Sequence, residues 1–122
     1  MEVYINSKSK EAIYLQIYEQ IRDQIVSFKL KENERLPSIR ALALDLNVSV
    51  ITVKNAYELL EQNAYIYSIP AKGTYVNKLD MKKVEEEYKE IALSHLHSIR
   101  KIQELLGKND DWLTTLKEED SQ

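Results

Sequence analysis

The chain has 122 residues, with 17 basic against 20 acidic side chains and a formal net charge of −3. That length suits one small domain plus an appendage and leaves no room for two large lobes. Cysteine is absent, which excludes a disulfide framework, a thiolate metal site and a thiol nucleophile.

No apolar run reaches membrane-spanning length, and the opening MEVYINSKSK lacks the apolar core of a secretory signal, so a soluble cytoplasmic protein with no membrane partner is expected. The charge is uneven: residues 1–78 carry ten Lys or Arg against nine Asp or Glu, residues 79–122 seven against eleven. Phosphates respond to the local patch within a Debye length, so the acidic tail leaves DNA binding by the first part open.

In chain order, residues 11–28 read as a first helix, with Ile13, Ile17, Ile21, Ile25 and Phe28 in one stripe beside Tyr14 and Tyr18. Residues 29–37, KLKENERLP, are polar and end on Pro37, which marks a break. Ser38 is placed to cap a short second helix carrying Ile39, Leu42, Ala43 and Leu46, stopped near Asn47, a residue that tolerates left-handed backbone. Ser49 then caps a third helix whose core stripe is Val53, Ala56, Tyr57 and Leu60. At about 100° per residue, Ile51, Asn55, Glu58 and Gln62 point the opposite way, with Thr52 and Lys54 on the flanks.

The β-branched and aromatic runs 64–69 and 73–77, joined through Pro70-Ala71-Lys72-Gly73, read as a hairpin. Three helices and a two-stranded β wing make a mainly α winged helix-turn-helix over 1–78. Over 79–122 a two-helix tail follows. Val84, Tyr88, Ile91, Ala92, Leu96, Ile99, Ile102 and Leu106 recur at helical spacing as far as Gly107; Asn109 then caps a last helix with Asp110 and Asp111 in its first turn and Trp112, Leu113 and Leu116 on its apolar side. The final EEDSQ is expected to fray.

The runs IYLQIYEQIRDQI, LPSIRALALDLNVSVITVKNAYELLEQ and KGTYV, in order over about residues 11–77, resemble the N-terminal domain of GntR-type bacterial transcription regulators. The short tail looks like that of the YtrA subfamily, in which two helices form a dimerisation region. The resemblance implies a sequence-specific, homodimeric regulator of double-stranded DNA, a repressor acting at a palindromic operator, with no cofactor. It implies DNA contacts by Arg40, by Ser49, Thr52 and Lys54 around the start of the third helix, and by Lys72, Gly73 and Thr74 on the wing; base reading then falls to the outward face, where Val50, Ile51 and Asn55 join the expected DNA-binding residues. Dimerisation falls to Val84, Tyr88, Ile91, Leu96, Ile99, Ile102, Leu106, Trp112 and Leu116. Arg and Lys neutralise phosphates, hydroxyls and a helix N-terminus donate to phosphate oxygens, and glycine lets backbone approach closely.

Three features depart from the family pattern. Val50 and Ile51 stand where Arg, Pro, Asn or Thr is common. Phe28 replaces a helix-ending Gly, and Asn63-Ala64 replaces an acidic residue and Gly, which moves the helix-end role to Asn63. Pro70-Ala71 replaces a wing Gly, predicting a stiffer wing.

Plainer readings stand beside these. Lys54 and Asn55 also fit a solvated face, Arg40 an ion pair with Glu34 or Asp45, and Tyr65, Tyr67 and Tyr75 half-buried strand packing. His95 and His97, two apart on a helix, point about 200° from each other and make a poor metal pair. No catalytic order of residues can be assembled, so an enzyme is not expected. The rival to DNA binding is a winged-helix adaptor that grips a protein through Val50 and Ile51. No effector is assigned.

Overall fold

The computed structural model describes residues 1–121 and divides into two compact units, Met1–Val84 and Glu85–Gln122. The elements run α1 (Ile13–Val26), α2 (Ile39–Leu46), α3 (Val50–Gln62), β1 (Ile66–Ile69), β2 (Gly73–Val76), α4 (Met81–Leu106) and α5 (Asp110–Asp120). The division falls within α4, after Val84, which is 5% exposed.

The first unit forms around the predicted stripes. Ile17, Ile21 and Ile25 of α1 and Val53, Ala56 and Leu60 of α3 are fully covered, with Leu42 and Ala43 of α2 closing the other side. Burying each large aliphatic side chain contributes about 1.5–3 kcal/mol, so α3, packed on both α1 and α2, is the best-anchored helix. Ser38 caps α2 by accepting from Ala41 N–H at 3.1 Å, and Asn47 ends it in the left-handed region at φ 54°.

The end of α3 corrects the sequence reading. Asn63 keeps φ −91°, and Ala64 takes the left-handed position at φ 62°. Ala64 N–H donates to Glu61 O and Tyr65 N–H to Leu60 O, the two bonds of a Schellman cap. Asn63 is occupied elsewhere, its amide donating to the Tyr18 hydroxyl at 2.8 Å. Phe28, at φ 61°, likewise ends α1 in the conformation a glycine would adopt without strain.

The wing has a partner on each side of β2. β1 pairs with it antiparallel, Ile66 opposite Val76 and Ile69 opposite Gly73. Along its other edge run residues 33–36, read from sequence as a polar connection: Asn33 N–H donates to Val76 O, Val76 N–H to Glu34 O and Leu36 N–H to Thr74 O. Ile66, Val76 and Leu36 face the core. By strand alternation Tyr67, Tyr75 and Arg35 take the opposite face, where the Tyr67 and Tyr75 rings stack at 5.7 Å.

An N-terminal arm is fastened to α1 by a ladder of glutamines. Gln16, Gln20 and Gln24, four apart, each accept from and donate to one main-chain residue of the arm: Asn6, Tyr4 and Glu2 respectively. Four helical residues rise about 6 Å and two extended residues nearly 7 Å, so the side-chain amides stay in step with alternate arm residues.

In the second unit α4 ends at Gly107, φ 63°, with Lys108 N–H donating to Gln103 O. Asn109 caps α5 by accepting from Asp111 N–H at 3.0 Å. Gln103 is buried and donates to Asn109 O and Asp110 Oδ1, fixing the corner between the helices. α5 continues through Glu118, Glu119 and Asp120, so the expected fraying does not begin at EED; Gln122 lies outside the described residues.

Candidate nucleic-acid interface

The start of α3 is built from a cap that shares its hydroxyls. Ser49 Oγ accepts from Thr52 N–H at 3.2 Å and lies 2.6 Å from Thr52 Oγ1. One hydroxyl donates to the other, and the accepting one keeps its proton for an external acceptor. At a helix N-terminus the first N–H groups lack intrahelical partners, so this end of α3 offers donors and the positive end of a dipole.

The outward face of α3 is as the spacing predicts. Ile51, Lys54, Asn55, Glu58 and Gln62 are exposed, and Thr52 is half-buried. Val50 and Ile51 place apolar surface at the first turn, Ile51 being 57% exposed. Lys54 Nζ lies 3.9 Å from Glu58 Oε1. Both side chains are more than half exposed, so this pair is weak, and Glu58 sets a negative charge on the face expected to meet DNA.

Two further segments border this face. Arg40 on α2 is exposed, and among the described residues neither a hydrogen bond nor an ion pair engages its side chain; the pairing with Glu34 or Asp45 does not form. Glu34 instead accepts from Lys31 N–H. At the wing, Lys72 N–H donates to Ile69 O at 3.0 Å across Pro70 and Ala71. Ala71 has φ 64°, so proline followed by a left-handed residue makes a type II turn. Lys72 is exposed and Thr74 half-buried, its Oγ1 lying 3.3 Å from Ser68 Oγ.

Gly73 adopts φ 128°, and a Cβ there would lie 2.9 Å from Arg35 Nε, 3.2 Å from Nη2 and 3.3 Å from Cζ. The Arg35 side chain therefore lies over the wing at Gly73. Sequence reasoning passed over Arg35, and it placed Glu58 on the outward face without pairing it to Lys54.

The family model described as bacterial regulatory proteins, gntR family, matches residues 13–76, more than half of the chain. This chain belongs to the gntR family. The match covers α1 to β2, the helices and wing just described. Across its whole length the chain is similar to a solved structure described as a transcriptional antiterminator from Listeria monocytogenes EGD-e, with 31% identity, 100% of this chain and 91% of that one covered, and a TM-score of 0.74. It is 32% identical over 76 residues to the HTH-type transcriptional repressor YtrA of Bacillus subtilis, covering 62% of this chain and 58% of that protein. The AraR DNA-binding domain, solved in complex with operator ORE1, is 25% identical with a TM-score of 0.52, the match covering 62% of this chain and 93% of that one.

The stretches matched amount to between 14% and 58% of the lengths of curated relatives of this gntR-family chain. Those relatives are named as transcriptional regulators or repressors and not as enzymes, in keeping with the sequence reading. Among the described residues no helix is long and apolar enough to cross a membrane.

In the second unit the predicted dimerisation residues divide. Tyr88, Ile91, Leu96, Ile99, Trp112 and Leu116 are half-buried within their own chain, whereas Ile102 and Leu106 are exposed together with Leu93 and Leu105. Val84, by contrast, is 5% exposed and falls in the first unit.

Proposed function

We propose that this gntR-family chain is a sequence-specific, homodimeric repressor of the YtrA type, acting on double-stranded DNA in the bacterial cytoplasm. The observation that carries the reading is the capped start of α3. Its outward Ile51, Lys54 and Asn55 have no core role and stand on a rigid helix flanked by the exposed cations Arg40 and Lys72. In this reading α3 enters the major groove, the start of α2 and the wing hold adjacent phosphates, and Ile51 meets thymine methyl groups. The operator complex of the AraR domain and the repressor name of YtrA support it by likeness.

Two protomers joined through their tails would address a two-fold-symmetric operator with half-sites about 10 base pairs apart, one turn of the duplex. Selection of bound duplexes from a random pool tests this directly. A symmetric site bound by two protomers is expected; a single asymmetric half-site bound by one protomer would count against it. The exposed Val50, Ile51 and Leu44 favour a second reading, an adaptor that grips a protein. Salt separates the two: counterion release makes DNA affinity fall steeply as salt rises, while an apolar contact changes little.

A further inference from the structure

We infer that Arg35 is a phosphate-binding residue of the DNA interface, seated on the wing by Gly73. The inference rests on the DNA-binding reading above and adds a contact that the sequence motifs do not supply.

Residues 33–36 are held against β2 by main-chain hydrogen bonds at both ends, with Arg35 directly opposite Tyr75. Leu36, its neighbour in sequence, is buried, so alternation turns Arg35 away from the core. The side chain then runs along the sheet toward the turn. Its guanidinium rests at Gly73, where any Cβ would press on Nε.

The absence of a side chain at Gly73 thus gives the guanidinium its place as well as permitting the φ of 128°. That place is on the wing beside Lys72 and Thr74, and Arg35 also lines a surface cleft with Glu34, Pro37 and Ser38. The residue is exposed, and among the described residues neither a hydrogen bond nor an ion pair engages its side chain.

A planar cation with five N–H donors, held on a rigid strand, suits a backbone phosphate, because ordering it on binding costs little further entropy. If Arg35 only covered the glycine, its charge would not matter. Main-chain pairing fixes residues 33–36 whatever the side chain at 35, so substitutions there test the contact without dismantling the sheet.

The experiment measures affinity against salt concentration for the full chain, Arg35→Gln and Arg35→Lys, on a duplex selected from a random pool and on an unrelated duplex of the same length, with thermal melts alongside. Loss of one phosphate contact makes the slope of log K against log salt shallower by about 0.9. Arg35→Gln is expected to show that change and about ten-fold weaker binding on both duplexes, with an unchanged melt. Arg35→Lys should restore the slope and part of the affinity. An unchanged slope, with or without a lowered melt, would overturn the inference. So would a loss confined to the selected duplex, which would make Arg35 a base reader. An intact chain that binds neither duplex at low salt would sink the DNA-binding reading itself, and this inference with it.

Discussion

The Tyr57 hydroxyl donates to the main-chain oxygen of Pro37 across 2.7 Å, tying the middle of α3 to the residue before the α2 cap. Both ends of the tie belong to elements that carry the proposed DNA contacts, so one hydrogen bond helps to fix their relative placement. Tyr57 is buried, and burial pushes its phenol well above the usual tyrosine value.

Tyr57→Phe should cost about 1–2 kcal/mol, because the Pro37 oxygen loses its partner. It should also change the alkaline limb of stability. Above about pH 10 the unfolded chain releases the phenolic proton while the folded chain retains it. The unfolded state then binds fewer protons, and stability falls as pH rises, by up to about 1.4 kcal/mol per pH unit from this group. Urea melts at pH 8 to 11 test the sign: the native chain should lose stability more steeply at the top of the range than Tyr57→Phe. Parallel curves would show that Tyr57 does not hold its proton in the fold.

Ala64 and Ala71 occupy left-handed backbone, at φ 62° and 64°, where an L side chain costs about 1–2 kcal/mol. Each change to glycine relieves that strain but adds freedom to the unfolded chain, for a net gain of about 1 kcal/mol at most. Ala64→Gly should raise the melting temperature and leave DNA affinity untouched, since it lies at the far end of α3. Ala71→Gly should raise it too while loosening the wing turn, seen as weaker binding. Phe28 is a poorer candidate despite φ 61°: its ring lines an apolar groove with Ile25, Leu30 and Met81 that glycine would open. A lowered melting temperature for Ala64→Gly would refute the strain argument.

These alanines mark the limit of what the sequence makes legible. Local signals read true: the α3 stripe, the caps at Ser38, Ser49 and Asn109, the left-handed Asn47 and the hairpin are each specified by residues close in sequence. The strand-like run 33–36 and the arm of residues 2–6 were not legible, because main-chain hydrogen bonds to distant β2 and to glutamine amides leave no periodic side-chain pattern. The α3 end was misread because propensity favoured Asn63, whereas the bond from Asn63 to Tyr18 and the Schellman geometry put the turn one residue later. For the site, residue types and faces were readable. The Lys54–Glu58 pair and the seat of Arg35 depend on side-chain positions.

On α3, positioning and reading should separate. Lys54→Ala should weaken binding to every duplex and make the salt slope shallower by about 0.9. Glu58→Gln should do the opposite in affinity, tightening binding about two- to five-fold on all duplexes, as it frees Lys54 and removes a charge that repels phosphate. Asn55→Ala should cost about 1–3 kcal/mol on the selected operator alone, if its amide pairs with an adenine edge. Equal losses for Asn55→Ala on selected and random duplexes would remove Asn55 from the reading residues.

The tail prediction follows from apolar surface that the second unit does not cover. Leu105 is 75% exposed, and Ile102 and Leu106 beside it on α4 are exposed as well. Residues 102, 105 and 106 stand three and four apart and share one face. A contiguous apolar face of this kind is rarely left in water, and a second copy of the same face, related by two-fold symmetry, would bury both. Because these side chains already face solvent within one chain, Ile102→Glu with Leu105→Glu should leave each protomer folded while placing opposed negative charges in the proposed interface. Light scattering should then report a monomer. Affinity for the symmetric operator should fall by about 10²-fold or more, since the second half-site is no longer engaged at high effective concentration, while affinity for an isolated half-site should stay as it was. A chain ending at Glu87 retains the whole first unit and should behave like the double variant. If the double variant stays dimeric and keeps full operator affinity, the exposed face of α4 is not where two protomers meet.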